Sequence, residues 1–525
     1  MADTAAAQAV YGAGSPARNL QPWLREALAC LSYANLCMLR VWGETLTYRK
    51  SDTYFMQSLP GPADYIAAIL NVLLVGALLF GSVRLFRHML PARIWRMVRF
   101  GFLAAVLVPL NSLRAVLSVD HPSLKSPMMG LITPVTASLA IIALAAAIWL
   151  AWKWQVQVVW LAVSALVAAS PLCALSFSEA LWAAANYTAG ALRDGPRAAR
   201  LTPNGTSRRV LWIIFDEWDY RLTFEDRPAG LALPAVDRFR SESLSATDAH
   251  TPALDTAAVL PTLLTGRDLI HTNQNMAPKA WVKLPTIFSA ARQEGLNTAL
   301  IGWYLPYCRI LSGSLCDCAW WSLPVQANST GDTLSEKIPG QLESLFETNT
   351  LAPFGQSEAM RHAVRNYHEY LQRARCAATD SSLGLVLLHA PFPHAPHFYN
   401  RSSGRFDGRN HPISGYIDSL ALMDRSLADW RSAMEKNGTW DTTTILLTAD
   451  HPFRESRLLD GKFDPRVPFL LKFPGSGHAR TYAGRLEALI TPSLLLAVLR
   501  GQVSDVPGVI AWLRRNPDLR ATPAL

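Results

Sequence analysis

Two charge-free stretches, residues 126–152 and 155–178, separated only by Lys153 and Trp154, constrain this chain more than any other feature. Runs of that length reach across the roughly 30 Å apolar core of a bilayer, and a soluble core has little room to bury two of them side by side. A third run, from Tyr65 to Val83, is equally free of charge. Two weaker stretches join them: 100–119, broken by Pro109 and carrying Arg114, and 27–43, which carries Arg40. An arginine near the end of a span can snorkel to the interface. The pattern predicts an N-terminal helical transmembrane bundle of about five spans over residues 1–179. The first 20 residues lack the apolar core of a cleavable signal peptide. The loop 84–99 holds Arg84, Arg87, Arg93, Arg96 and Arg99 with no acid, which predicts that it faces the cytoplasm. Five spans with that loop inside carry everything after about residue 179 to the outer face.

The remaining residues read as a separate, soluble part. Over all 525 residues, 50% are hydrophobic and 17% charged, an average that hides this split. The net charge of +9 owes much to the arginines between spans, and no nucleic-acid motif accompanies it, so nucleic acid is excluded as a partner. Residues 180–206 are polar and predict a linker. From 209 onward, apolar runs at Val210–Phe215, Thr298–Trp303, Leu383–Leu388, Thr443–Thr448 and Val467–Phe473 alternate with helical patterns at 286–294, 356–377 and 418–436. Continuous apolar runs are the mark of strands buried on both faces, and their alternation with helices predicts an α/β domain with a largely parallel central sheet. That domain is assigned residues 207–503, with 504–525 as a C-terminal tail. Sheets of this kind bind ligands beyond the carboxyl ends of their strands.

Chemistry-bearing residues gather at those ends. The first run stops at Asp216-Glu217, the fourth at Asp450-His451, and the third at a loop containing His389, His394 and His397. Oxygen and imidazole donors of this kind suit a divalent metal such as zinc or manganese. Each piece alone is also explained by a turn, a cap or a surface pair; their joint placement is not. The segment from Thr251 to Arg267 predicts a short helix stopped by Gly266, with Thr256 at or just before its start. A hydroxyl there, next to a metal, can be deprotonated and attack phosphorus. A simple N-cap role for Thr256 is the alternative. The stretch Gly302–Arg309, rich in aromatics, either lines a pocket or packs under a disulfide loop. Arg454 and Lys462 either offer positive charge to a substrate or are solvated loop residues.

Thr256 stands nine and ten positions before Thr265-Gly266, with Pro261 between them. This spacing resembles the nucleophile motif of the alkaline phosphatase superfamily, in its sulfatase-like branch with a threonine nucleophile. Asp216 and Asp450-His451 match that branch's metal-ligand positions in order. His389 and His394 resemble the histidines that bind substrate or a second metal in phosphoethanolamine transferases. Spans followed by an outer catalytic domain also resemble those enzymes and the lipoteichoic acid synthases. The departures are specific. The Cys-x-Pro-x-Arg signature of arylsulfatases is absent, and a threonine cannot become formylglycine. The Cys-Gly that precedes the nucleophile in lipid A phosphoethanolamine transferases is missing, and Pro452 replaces the glycine usual after Asp450-His451.

The resemblance implies a metal held by Asp216, Asp450 and His451, with Glu217 and Thr256 as further ligands, and catalysis by Thr256 with His394 and His389. It implies transfer of a head group, phosphoethanolamine or phosphoglycerol, from a membrane phospholipid to an envelope glycan or lipid. The expected location is the bacterial inner membrane, with the catalytic domain in the periplasm. A hydrolase with the same nucleophile and a catalytically inactive membrane scaffold are the alternatives. Cys308, Cys316, Cys318 and Cys376 permit two disulfides in an oxidising compartment, with Cys308 joined to Cys316 or Cys318. A zinc site is the other reading of these cysteines.

Overall fold

The computed structural model describes residues 21–46, 56–57, 59–105, 107–116, 134–187, 193–202, 208–270, 281, 284–322, 333–345, 358–406, 413–475 and 479–516. Parts of the expected spans (117–119 and 126–133), of the linker and of the tail lie outside the described residues. The chain divides into two compact units: residues 1–48, 60–189 and 330–354 in one, and 49–59, 190–329 and 355–525 in the other.

In the first unit, two helices among the described residues are long and apolar enough to cross a membrane: Pro62–Met89, of 28 residues, and Gln155–Ala185, of 31. The other expected spans correspond to shorter or broken helices: Pro22–Cys37 followed by Leu39–Leu46, Ala92–Ala104 followed by Leu107–Val116, and Pro134–Lys153. Large apolar side chains are exposed along them, including Leu74, Leu78, Ile141, Ile142, Leu161 and Trp182. One face of Pro62–Met89 is buried and partly polar, with Asp64 and Asn71 among its inward residues. A helix from later in the chain, Leu334–Ser344, docks there. Lys337 Nζ reaches Asp64 Oδ1 at 2.7 Å, Gln341 Nε2 donates to the Asp64 carbonyl at 3.0 Å, and Asn71 Nδ2 donates to the Ile338 carbonyl at 3.1 Å. Sequence reading assigned this stretch to the catalytic domain.

The second unit is built on an eight-stranded sheet: β1 (Arg209–Asp216), β2 (Leu244–Ala246), β3 (Thr298–Trp303), β4 (Asp317–Trp321), β5 (Leu385–Pro393), β6 (Thr443–Ala449), β7 (Phe469–Lys472) and β8 (Arg480–Tyr482), in the order β8-β2-β7-β6-β1-β5-β3-β4. β7 runs against its neighbours β6 and β2, while the remaining pairs are parallel. The fifth expected strand is therefore the reversed one. β1 lies mid-sheet and is buried along its whole length, which explains its unbroken apolar run. Helices Glu358–Thr379 and Ser414–Asn437 follow the expected positions. Arg209 opens β1 from a buried position, where Nε donates to the Leu383 carbonyl, Nη1 to Thr443 Oγ1, and Nη2 to the carbonyls of Ala377 and Ala378. Those last two carbonyls close helix Glu358–Thr379, whose end favours a cation. Residues 193–202, read as linker, pack on this unit: the Ala198 amide donates to the Leu315 carbonyl and Arg200 pairs with Asp380.

Candidate active site

Four neighbouring strands, β6, β1, β5 and β3, deliver side chains to one edge of the sheet. The register of β1 against β5 shifts between Phe215 and Asp216, so the strand bends as it ends. Asp216 is fully buried, and the next residue, Glu217, has φ 65°, a left-handed backbone that non-glycine residues adopt at a cost. β6 ends in Ala449, and Asp450 and His451 follow directly, both buried. One ligand atom each from Asp216, Asp450 and His451 lie within 4.8 Å of one another.

Thr256 is the first residue of helix Thr256–Thr265, which ends at Gly266 in the left-handed region, as its glycine predicts. The cap is Asp255, whose carboxylate accepts from the amides of Ala257 and Ala258. Thr256 is thereby released from capping. Its Oγ1 donates to Asp450 Oδ2 at 2.8 Å and lies 3.2 Å from His451 Nε2. Asp450 in turn accepts at Oδ1 from the amides of Glu217 and His451. The helix start has little left to offer an anion, since Asp255 already takes two of its amides.

Charges in this cluster are strongly interdependent. Burial, with the Asp450 charge beside it, pushes the Asp216 carboxyl well above the usual carboxylate range. Burial works the same way on Asp450, but the His451 and His389 imidazoles and the Thr256 hydroxyl together hold it below that range. His451 goes up despite its own burial, because Asp450 and Asp216 face it. Asp216 Oδ1 is buried without a hydrogen-bond partner, 3.6 Å from His451 Nε2. An orphaned carboxylate oxygen, a second carboxylate, an imidazole and a hydroxyl converging on one point form a donor set that fits a divalent cation.

Glu217, the third acidic residue sequence reading offered to the metal, points elsewhere: its carboxylate accepts from Arg454 Nε at 2.8 Å. His389 sits within β5, fully buried, with Nδ1 2.8 Å from the Tyr307 hydroxyl and Nε2 3.9 Å from Asp216 Oδ2. Burial lowers its pKa to about 4, so the ring is neutral near pH 7. His394 lies beyond the strand end, its Nδ1 against the Ala395 carbonyl and its Nε2 3.4 Å from Arg454 Nη2. His397 is a packing residue, bonded to Ser419 Oγ. Lys462 pairs with Asp226 and is largely exposed, a solvated loop residue.

Two contributors were not singled out from sequence. Trp303, last in β3, donates Nε1 to Asp216 Oδ2 at 2.7 Å and has its ring 5.4 Å from that of His394. Tyr307, four residues on, orients His389. The aromatic stretch is therefore both packing and site, and its position after a strand end was the available signal. Beside it, Cys308 joins Cys318, one of the two pairings sequence left open, while Cys316 and Cys376 are free, so one of the two permitted disulfides forms. β4 explains the choice of partner: its alternation turns Cys318 inward, whereas Cys316 precedes the strand and meets Arg292.

The sulfatase family model matches residues 208–497, more than half of the chain. The chain belongs to the sulfatase family. Solved structures similar to this sulfatase-family chain include the phosphonate monoester hydrolase of Agrobacterium radiobacter, 17% identical over 56% of this chain and 73% of that one, with a TM-score of 0.38. The PsFucS1 sulfatase from Pseudoalteromonas sp. is 14% identical over 56% and 68%, with a TM-score of 0.41. The lipoteichoic acid synthase LtaP from Listeria monocytogenes is 11% identical over 56% and 72%, with a TM-score of 0.37. Among curated proteins, none matches this member of the family. Family membership supports an enzyme and does not separate a transferase from a hydrolase.

Proposed function

We propose that this sulfatase-family chain is a membrane-anchored transferase that moves a phospholipid head group, phosphoethanolamine or phosphoglycerol, to an extracytoplasmic glycan or lipid through an ester on Thr256. The observation that carries this reading is the Thr256 hydroxyl, first in its helix and bonded to Asp450 and His451 beside the orphaned oxygen of Asp216. A zinc or manganese ion on Asp216, Asp450 and His451 would acidify that hydroxyl and offset negative charge on the substrate. In the first step Thr256 Oγ1, its hydroxyl proton lost to solvent, bonds to phosphorus and the bond to the diacylglycerol oxygen breaks, that oxygen taking a proton from His394. In the second, an acceptor hydroxyl bonds to phosphorus, gives up its proton, and Thr256 is released. His394 Nε2 is the group that donates and then recovers the proton. His389, neutral and bonded to the Tyr307 hydroxyl, faces Asp216 with its Nε2 3.9 Å away.

Membrane anchoring is supported by the two long apolar helices and by the exposed apolar side chains along them. A bundle of about five spans in an inner membrane, with the arginine-rich 84–99 segment inside, puts the start of Pro62–Met89 at the outer face. That is the end on which Leu334–Ser344, from the later part of the chain, docks through Asp64. A lipid donor confines the chemistry to the surface the anchor provides.

Mass spectrometry of the Thr256 peptide tests the proposal, after incubating the full-length protein with mixed phospholipids and no acceptor. A phosphoethanolamine or phosphoglycerol adduct on Thr256 is expected, and Thr256→Ala should lose at least about a thousandfold in activity while folding normally. Activity retained by that variant rules out the nucleophile. Lipid consumption with no trapped adduct, and products independent of any acceptor, assigns the same site to hydrolysis.

A further inference from the structure

Three residues after His451 the chain brings Arg454 to the open edge of the sheet. Its Nε donates to Glu217 Oε1 at 2.8 Å, and its Nη2 lies 3.4 Å from His394 Nε2. These contacts engage two of the five N–H groups of a guanidinium. Glu217 is buried, with 6% of its side chain exposed, whereas Arg454 keeps 41%. The pair is therefore anchored on its acidic side and open on its basic side. Glu217 directly follows Asp216, and its amide bonds Asp450, so the arginine is tied to the backbone that carries the nucleophile's partners. Tyr304, also at a left-handed φ of 70°, follows β3 at this edge, where burial first and then the Asp255 and Asp216 charges push its hydroxyl's pKa up.

The surroundings need a cation that stays charged. Asp216, Glu217, Asp255 and Asp450 crowd an edge to which the substrate brings more negative charge. Arginine keeps its charge at any working pH, and its planar fork matches two oxygens of a tetrahedral oxyanion. We propose that Arg454 binds the non-bridging oxygens of the anionic ester attacked by Thr256, held ready by Glu217 and flanked by His394. This rests on the reading of Thr256 as nucleophile and extends it to a specificity-determining residue. The ligand chemistry is a phosphate or sulfate group.

The test measures binding rather than turnover. Full-length, metal-loaded protein in detergent is titrated calorimetrically with inorganic phosphate and, separately, with sulfate. The chains compared are wild type, Thr256→Ala, Arg454→Ala, Arg454→Lys and the Thr256→Ala/Arg454→Ala double variant. Arg454→Ala is expected to weaken binding of the preferred anion by about ten- to a hundredfold, with Arg454→Lys between it and wild type. The same loss is expected on the Thr256→Ala background, with metal affinity unchanged between chains that differ only at Arg454. The anion bound more tightly by wild type names the ester class. Binding within twofold of wild type in Arg454→Ala overturns the proposal. So does Arg454→Lys equal to wild type with Arg454→Ala unfolded, since the side chain would then serve the fold alone. If Thr256→Ala keeps its activity while anion binding still depends on Arg454, the nucleophile fails and the anion site stands.

Discussion

The two ends of strand β1 handle buried charge in opposite ways. At its start, Arg209 is buried and satisfied, with donors placed on three carbonyls and the Thr443 hydroxyl. At its end, Asp216 is equally buried, yet Oδ1 has no partner, and the Nε2 of neighbouring His389 has none either. Among the described residues, the two outside glycine with left-handed backbones, Glu217 and Tyr304, both follow strands at that second edge. An unpaired buried polar group costs about 1–3 kcal/mol, so two of them together at one strand edge call for a reason. One edge of the sheet closes its polar groups on one another; the other leaves Asp216 Oδ1 and His389 Nε2 unpartnered.

Metal removal is the strongest way to break this contrast. Chelation should abolish activity and lower the unfolding midpoint of the full-length protein. Returning metal at about a hundred times its dissociation constant should restore about 2.7 kcal/mol. Asp450→Asn should show no such shift, and a chelated protein with unchanged activity and midpoint would refute the open edge. At the opposite edge, Arg209→Met should cost about 3 kcal/mol or more, because it strands three carbonyls, while turnover per folded molecule stays at the wild-type value. Denaturant titration beside active-site counting separates these two readouts.

A smaller effect sharpens the comparison. In chelated protein, Asp216→Asn should raise stability by about 1–2 kcal/mol, since it removes a buried carboxylate whose Oδ1 nothing completes. A loss of stability instead would make Asp216 a structural residue. The smallest effect concerns Asp219, near the same edge, with Oδ2 buried and unpartnered. Burial lifts its pKa to about 6, so the folded state disfavours its charge. The folded pKa lies above the unfolded one, so this cost is complete above about pH 6 and disappears below about pH 4. Lowering the pH from 7 to 5 should therefore stabilise wild type by about 1 kcal/mol relative to Asp219→Asn. Parallel midpoints for the two proteins across that range would remove Asp219 from the open edge.

Much of the catalytic unit was legible because buried parallel strands write themselves as unbroken apolar runs. Thr298–Trp303 is observed as expected, and β1 and β6 differ from expectation by a residue or two. Short strands leave no such trace: Leu244–Ala246 and Arg480–Tyr482 carry three residues each, too few for any period. The direction of β7 was hidden for another reason, since burial marks a strand without saying which way it runs. At the site, Asp216, Asp450 and His451 come together as their strand-end positions imply, and Thr256 joins them from the start of its helix. Glu217 does not join them, because a left-handed backbone after Asp216 turns its side chain to Arg454, and sequence carries no signal for that φ. Asp255 was passed over as the helix cap in favour of Thr256, although either residue type suits the position.

The helix Leu334–Ser344 bears on how this protein can be taken apart. A fragment begun near residue 193, chosen to leave the apolar helices behind, would keep this helix and discard its seat. Lys337 would lose Asp64, and Leu342 and Leu345, which pack with the first unit, would face water. Such a truncation invites aggregation even though every strand of the sheet is present. Replacing 333–345 with a short glycine-serine linker in the same fragment removes the orphaned surface. The catalytic unit then ends where its packing ends, at a boundary that the order of residues along the chain does not suggest.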